Sequence, residues 1–132
     1  MARDRAESVA LTEAAFRIAN ERMAAWEERQ GTDGSAESYY CECAMQSCRE
    51  EIRLTREQYD AVRADPRRFV VLHDHILEDL ETELERYASY SVIEKPQMLT
   101  PLLEDTDPRG EPSGPALEEA SSMADQIEQR DP

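Results

Sequence analysis

The spacing of apolar and polar residues predicts an amphipathic helix at the start of the chain. Within residues 11–30, apolar side chains recur at three- and four-residue steps among Glu, Arg and Ala. The side chains of this seam are Phe16, Ala19, Met23 and Trp26. Residues 1–10 are expected to be disordered. We interpret the seam as packing on the chain's own domain, and a homodimer contact through this helix is the alternative.

A hairpin and a short helix are predicted next. Residues 38–43 resemble a strand, and residues 51–54 alternate polar and apolar side chains like a half-buried partner strand. Thr55 and Gln58 form a capping-box pattern, with Leu54 placed to contact Tyr59 across it. A helix should therefore begin at this point. Pro66 ends it because its ring disfavours helical geometry in the preceding residue.

Three further elements complete the predicted domain. The apolar run at residues 69–72 is typical of a buried strand, the leucine spacing of residues 76–87 predicts a helix, and residues 89–94 resemble a final strand. We therefore predict an α+β fold over residues 38–96. In this fold a few-stranded sheet packs against one or two helices.

Residues 97–132 differ in composition from the rest of the chain. They contain five prolines and no aromatic residue, and acidic residues outnumber basic ones. A segment of this kind buries too little apolar surface to fold alone, which predicts a disordered acidic tail. The stretch 116–129 has helical propensity, so a helix that forms on binding a partner is the alternative for this part of the tail.

Composition predicts a small core and limits the partners. The 132 residues are 39% hydrophobic, 6% aromatic and 34% charged, so a metal ion or a partner subunit would help to stabilise the fold. The net charge of -15 disfavours direct binding to nucleic acid or to an anionic membrane, because both require clustered Lys and Arg. A basic protein partner is easier to accommodate, and mimicry of nucleic acid by this charge is one version of that idea.

The sequence favours a bacterial cytoplasm. No apolar run approaches the roughly 20 residues that span a bilayer, and the first residues are too polar for a secretory signal. Three cysteines, an odd number, suit a reducing compartment better than a disulfide framework does. Basic residues are nearly all Arg, with Lys95 the only lysine, which is typical of a GC-rich bacterial genome.

All three cysteines lie in one C-x-C-x4-C cluster formed by Cys41, Cys43 and Cys48. Two thiols spaced i, i+2 on a strand point to one face, and the following loop can return a third thiol beside them. Zinc commonly takes four tetrahedral ligands from thiolates and imidazoles, which leaves one position for His75 or His73. We therefore predict a Cys3His zinc site and keep both histidines as candidates, with His75 preferred.

Other interpretations of these residues remain open. The cysteines can be half-buried packing residues, or redox-active thiols, although the neighbouring acids Glu42, Glu50 and Glu51 disfavour a reactive thiolate. A second metal or acid/base motif would combine the two histidines with Asp74, Glu78 or Asp79. Asp74 also suits a helix N-cap. No nucleophile-elbow, phosphate-loop or dinucleotide motif is present in the sequence, so an enzyme is the minority interpretation.

The stretch from Tyr40 to Lys95 resembles a group of small actinobacterial proteins with no known activity. The resemblance rests on C-E-C with a later cysteine, on the block I-R-L-T-R-E-Q-Y-D-A-V-R-A-D-P-R-R-F-V-V and on the closing Y-S-V-I-E-K. It implies that the histidine after the F-V-V strand, His75 here, is the fourth ligand of a structural metal. Where the group has Pro-Gly before that histidine, this chain has His73 and Asp74.

These observations predict a non-enzymatic regulatory or interaction module that a structural zinc ion stabilises. The alternatives are a metal- or thiol-dependent enzyme or redox sensor, and an acidic mimic of nucleic acid that binds a basic protein.

Overall fold

A computed structural model of the chain describes residues 4–31 and 34–129, and it confirms the α+β class. The long elements are helices at both ends of the chain, with two small antiparallel sheets between them. In chain order they are α1 (Arg5–Gln30), β1 (Glu37–Tyr40), β2 (Glu51–Leu54), α2 (Arg56–Val62), β3 (Arg68–Val71), β4 (Thr82–Arg86), β5 (Ser91–Glu94), α3 (Thr100–Asp105) and α4 (Pro115–Glu128). Single 3-10 turns lie at His73–His75 and Gln97–Leu99.

Helix α1 begins earlier than residue 11, so the disorder expected for residues 1–10 does not hold from residue 5 onward. The Asp4 carboxylate caps the helix by accepting a hydrogen bond from the Glu7 amide at 2.9 Å, and Ala6 and Ala10 are buried. Residues 1–3 lie outside the described part. The predicted seam is buried at Phe16 but 56% exposed at Trp26, because α1 extends beyond the elements that cover it.

The hairpin and α2 form, but β1 ends at Tyr40 and not at Cys43 as predicted. Strands β1 and β2 pair antiparallel with Tyr39 opposite Ile52, and the cysteine segment joins them. The Thr55 hydroxyl accepts from the Gln58 amide while the Gln58 side chain accepts from the Thr55 amide, which completes the capping box. Tyr59 is then buried and stacks on Tyr39 with ring centroids 4.4 Å apart.

The second sheet has the strand order β3-β5-β4, and it corrects the helix predicted for residues 76–87. That stretch contains a turn followed by β4, which pairs with β5 through a register shift at Glu83 and Glu85. The leucine spacing does not correspond to a buried helix face, since Leu84 is 40% exposed. Pairing with the buried strand β5 determines the conformation here and overrides the local helical pattern.

The C-terminal segment is the second correction, since residues 97–129 are ordered by packing on α1. Leu103 of α3 and three residues of α4 are buried, and Arg22 of α1 forms ion pairs with α4. The buried residues of α4 are Ala120, Ala124 and Ile127. Two of these are alanines, so α4 approaches α1 closely while burying little apolar area, and composition therefore underestimates the packing. Residues 130–132 lie outside the described part.

A buried group of ionisable side chains lies between α1 and the second sheet. The Lys95 ammonium is 2.8 Å from a Glu13 carboxylate oxygen and 2.9 Å from one of Glu81, and all three side chains are at most 1% exposed. Glu81 also accepts a hydrogen bond from the Leu77 amide at 2.8 Å. We call Glu13, Glu81 and Lys95 the Lys95 cluster.

Candidate metal centre

The three thiols of the cysteine segment converge with one imidazole at the top of the hairpin. Cys41 and Cys43 follow β1, and the chain turns at Met45 so that Cys48 returns just before β2. The Sγ atoms and the Nδ1 atom of His75 all lie within 4.8 Å of one another. Nδ1 of His75 is 3.4 Å from Sγ of Cys41 and 3.8 Å from Sγ of Cys48.

Strand β3 brings the histidine to the thiols. The segment after β1 continues beside β3, because the Glu42 amide donates to the Val70 carbonyl at 2.8 Å. The Leu72 amide at the end of β3 donates to Sγ of Cys41 at 3.3 Å. The His75 amide then donates to the Leu72 carbonyl at 3.0 Å, and the resulting 3-10 turn places the imidazole over the thiols.

The other histidine lies elsewhere. Nε2 of His73 is 2.8 Å from the Tyr87 carbonyl and 3.0 Å from the Tyr90 carbonyl, where it donates to the turn between β4 and β5. His73 therefore helps to close that turn, and His75 is the histidine that joins the three cysteines.

The acidic residues proposed for a second metal motif do not join the group either. The Asp74 side chain is 87% exposed, with an oxygen 3.9 Å from Nε2 of His75. Asp79 pairs with Arg5 at 2.6 Å. Within residues 4–31 and 34–129, the histidine, cysteine and acidic side chains close enough to hold a metal ion together are those of Cys41, Cys43, Cys48 and His75.

The thiols are electrostatically coupled. Hydrogen bonding between Cys41 and Cys43 raises the pKa of Cys41 and lowers that of Cys43 to about 5, while burial raises the pKa of Cys48. A metal ion would displace any protons that the thiols carry, because thiolates are the ligating form.

The nearest arginine supports the loop backbone. Nη1 of Arg49 donates to the carbonyls of Gln46 and Cys48, each at 2.7 Å, and its guanidinium lies 5.8 Å from the centroid of the Phe16 ring. These contacts close the turn that returns Cys48 to the other thiols.

Glu42 is a buried neighbour of the centre that the sequence reasoning missed. The sequence indicates only an acid beside the cysteines, whereas in the structure the Glu42 side chain is fully buried and is hydrogen-bonded to Asn20, Tyr59 and Val70. Burial raises the pKa of Glu42, and hydrogen bonds from Asn20 and Tyr59 act in the opposite direction. The signal that could have revealed it is alternation, since a residue between two cysteines of an extended segment faces the other way.

A cavity of about 290 Å³ opens beside the centre. Among the four grouped residues it is lined by Cys43 and His75, and its other walls include Met45, Asp74 and Leu77. It provides a path by which a small solute could approach one thiol and the imidazole.

Comparison of the chain with protein families, with curated proteins and with solved structures finds no match. Among the described residues, no helix has the length and apolar character required to cross a membrane.

Proposed function

We propose that the protein binds one zinc ion through Cys41, Cys43, Cys48 and His75, and that the ion stabilises a non-enzymatic interaction or regulatory module. The observation that carries the proposal is the convergence of four donor atoms within 4.8 Å from two separate parts of the chain. Three thiolates and one imidazole form a donor set that is typical of structural zinc sites.

The distances fit tetrahedral coordination. With zinc–sulfur bonds of about 2.3 Å and zinc–nitrogen bonds of about 2.0–2.1 Å, a sulfur and a nitrogen ligand lie about 3.6 Å apart. The separations of 3.4 and 3.8 Å between Nδ1 of His75 and two of the Sγ atoms bracket that value. These two separations are therefore compatible with a tetrahedral ion shared by His75, Cys41 and Cys48.

A structural role follows from the number and origin of the ligands. Four protein ligands complete a tetrahedral shell and leave no coordination position for a substrate. The ion would connect the hairpin loop to the turn after β3, and thus one sheet to the other. In a chain with few aromatic residues, such a link adds stability that the core alone supplies only weakly.

The cavity beside Cys43 and His75 favours a second candidate, a metal- or thiol-dependent enzyme or sensor. In that case an exogenous molecule would reach the ion or Cys43 through the cavity. An open coordination position or a reactive thiol would distinguish this function from a structural one.

The partner of the proposed module is a basic protein, because the net charge of the chain is -15.

Self-association through α1 is a separate prediction that rests on the exposed Trp26. Sedimentation of the wild type and of Trp26→Ala would test it, and a monomeric wild type would contradict it. The resemblance to small actinobacterial proteins remains a prediction and adds no activity.

The test of the zinc proposal is metal content. Protein purified without a histidine tag would be measured by native mass spectrometry and elemental analysis, together with Cys48→Ser, His75→Ala and the matched control His73→Ala. We expect one zinc per chain in the wild type and the control, and none in the other two variants. A folded wild type with three titratable free thiols and no metal would contradict the proposal.

A further inference from the structure

We propose that Glu42 is a positioning residue of the metal centre, which holds Cys41 and Cys43 in ligating geometry by anchoring the segment between them to three other elements. This inference rests on the proposed zinc site and deepens it. Glu42 is an ionisable residue that lies between two of the ligands in the sequence, is fully buried, and accepts hydrogen bonds from Asn20, Tyr59 and Val70.

Three donors from three elements converge on the Glu42 carboxylate. Oε2 accepts from Asn20 Nδ2 of α1 at 3.0 Å and from the Tyr59 hydroxyl of α2 at 2.7 Å. Oε1 accepts from the Val70 amide of β3 at 3.1 Å. Hydrogen bonds to a carboxylate are stronger than neutral ones, so the carboxylate is held at a fixed position in the core.

The backbone on either side of Glu42 is fixed as well. The Cys41 amide donates to the Glu50 carbonyl at 3.0 Å, and the Glu42 amide donates to the Val70 carbonyl at 2.8 Å. Asn20 also brackets the Tyr40 backbone, since its Oδ1 accepts from the Tyr40 amide at 2.8 Å and its Nδ2 donates to the Tyr40 carbonyl at 3.0 Å. Side chain and backbone together restrict the direction in which both thiols point.

Val70 and Leu72 extend this anchoring to the fourth ligand. Val70 binds the Glu42 carboxylate with its amide, and two residues later Leu72 contacts Cys41 and the His75 amide. Glu42 therefore fixes the relative position of the hairpin loop and of the strand end that carries His75. Partners that orient ligands in this way typically contribute about 10–100-fold to metal affinity.

Gln at position 42 is the most informative substitution. Gln conserves the volume of Glu but replaces one acceptor oxygen with an NH2 group. That NH2 group must then face either the side chains of Asn20 and Tyr59 or the Val70 amide, all of which donate hydrogen bonds to Glu42 in the wild type. Glu50→Gln is the matched control: Glu50 lies in the same hairpin loop, is exposed, and would undergo the same change in charge. Tyr59→Phe removes one donor without altering the cysteine segment.

The experiment measures zinc affinity by competition with a chromogenic chelator, and the absorption spectrum of the cobalt-substituted protein, for the wild type and the three variants. We expect Glu42→Gln to bind zinc about 10–100-fold more weakly with altered cobalt bands, Tyr59→Phe to show a smaller loss, and Glu50→Gln to match the wild type. Unfolding would be followed with and without metal, because a purely structural role lowers both stabilities equally and leaves affinity unchanged.

Equal zinc affinities and equal cobalt spectra for the wild type and Glu42→Gln would overturn the role of Glu42 while leaving the zinc site intact. A wild type that binds no zinc would instead overturn the proposed function itself. The two failures are therefore distinguishable in the same titration.

Discussion

The metal centre and the Lys95 cluster are two groups of polar side chains in one small interior, and they differ in how their charge is balanced. In the metal centre, three acidic groups and an imidazole surround a position that suits a cation. In the Lys95 cluster, an ammonium of the chain itself lies between two carboxylates. On our proposal a metal ion would balance the charge of the first group, whereas a side chain of the protein balances that of the second.

This difference predicts how each region responds to perturbation. A buried ion pair contributes little net stability, but removing one partner leaves an uncompensated charge and is strongly destabilising. A metal site can be emptied reversibly, and its contribution depends on pH and on free metal concentration. The contribution of each group to the free energy of unfolding can therefore be measured separately.

The largest effect is expected on removal of the metal. Chelation should lower the free energy of unfolding by on the order of 5 kcal/mol or more, because the proposed ion would connect the hairpin to the turn that carries His75. The measurement is thermal and denaturant unfolding with and without chelator, with restoration by added zinc. Identical unfolding curves would contradict a structural role.

Next in size is loss of the ammonium in the Lys95 cluster. Lys95→Met should destabilise the protein by about 3–5 kcal/mol, because two buried carboxylates then lack their partner. Arg86→Met is the control, since Arg86 pairs with Glu83 on the exposed strand β4 and should cost less than about 1 kcal/mol. Equal midpoints in urea for the two variants would rule out this account of the cluster.

A pH dependence should follow from Glu13. Burial and the neighbouring Glu81 raise the pKa of Glu13 well above its ordinary value, with Lys95 acting in the opposite direction. The folded state thus binds a proton more tightly than the unfolded state does. The resulting stabilisation is fully present below the unfolded pKa and is lost as pH rises through the folded pKa.

Glu13→Gln, which is neutral at every pH, should remove this dependence. We expect the slope of unfolding free energy against pH to differ between the wild type and the variant by at most about 1.4 kcal/mol per pH unit above the unfolded pKa. Denaturant titrations at several pH values would measure it, and parallel slopes would show that Glu13 is not protonated in the folded state.

The smallest effect is expected at Asp74, which lies beside the metal centre but in solvent. Asp74→Asn should change zinc affinity by less than about threefold, because an exposed charge is screened by water. Chelator competition would measure this change beside Glu42→Gln. If Asp74→Asn lowered zinc affinity more than Glu42→Gln, this would contradict the expectation that buried neighbours of the ligands affect zinc affinity more than exposed ones.

The features that the sequence could predict depend on residues close together in the chain, and the features that it could not predict depend on contacts between distant residues. The hairpin, the capping box at Thr55 and the group of Cys41, Cys43 and Cys48 depend on residues close together in the chain, and local pattern is sufficient for them. The Lys95 cluster joins Glu13 of α1 to residues of the second sheet, and no local pattern indicates that pairing. Strand β4 was not predicted, and the helical propensity of residues 116–129 indicated α4 only as a helix formed on binding a partner, because tertiary contacts determine the conformation of both.

The central claim is that three thiolates and one imidazole bind a zinc ion in a closed shell. X-ray absorption at the zinc edge tests it most directly on the purified protein. The account predicts three sulfur neighbours at about 2.3 Å and one nitrogen at about 2.0–2.1 Å. Absence of zinc, or a shell that contains water or carboxylate oxygen in place of one of these four ligands, would contradict it.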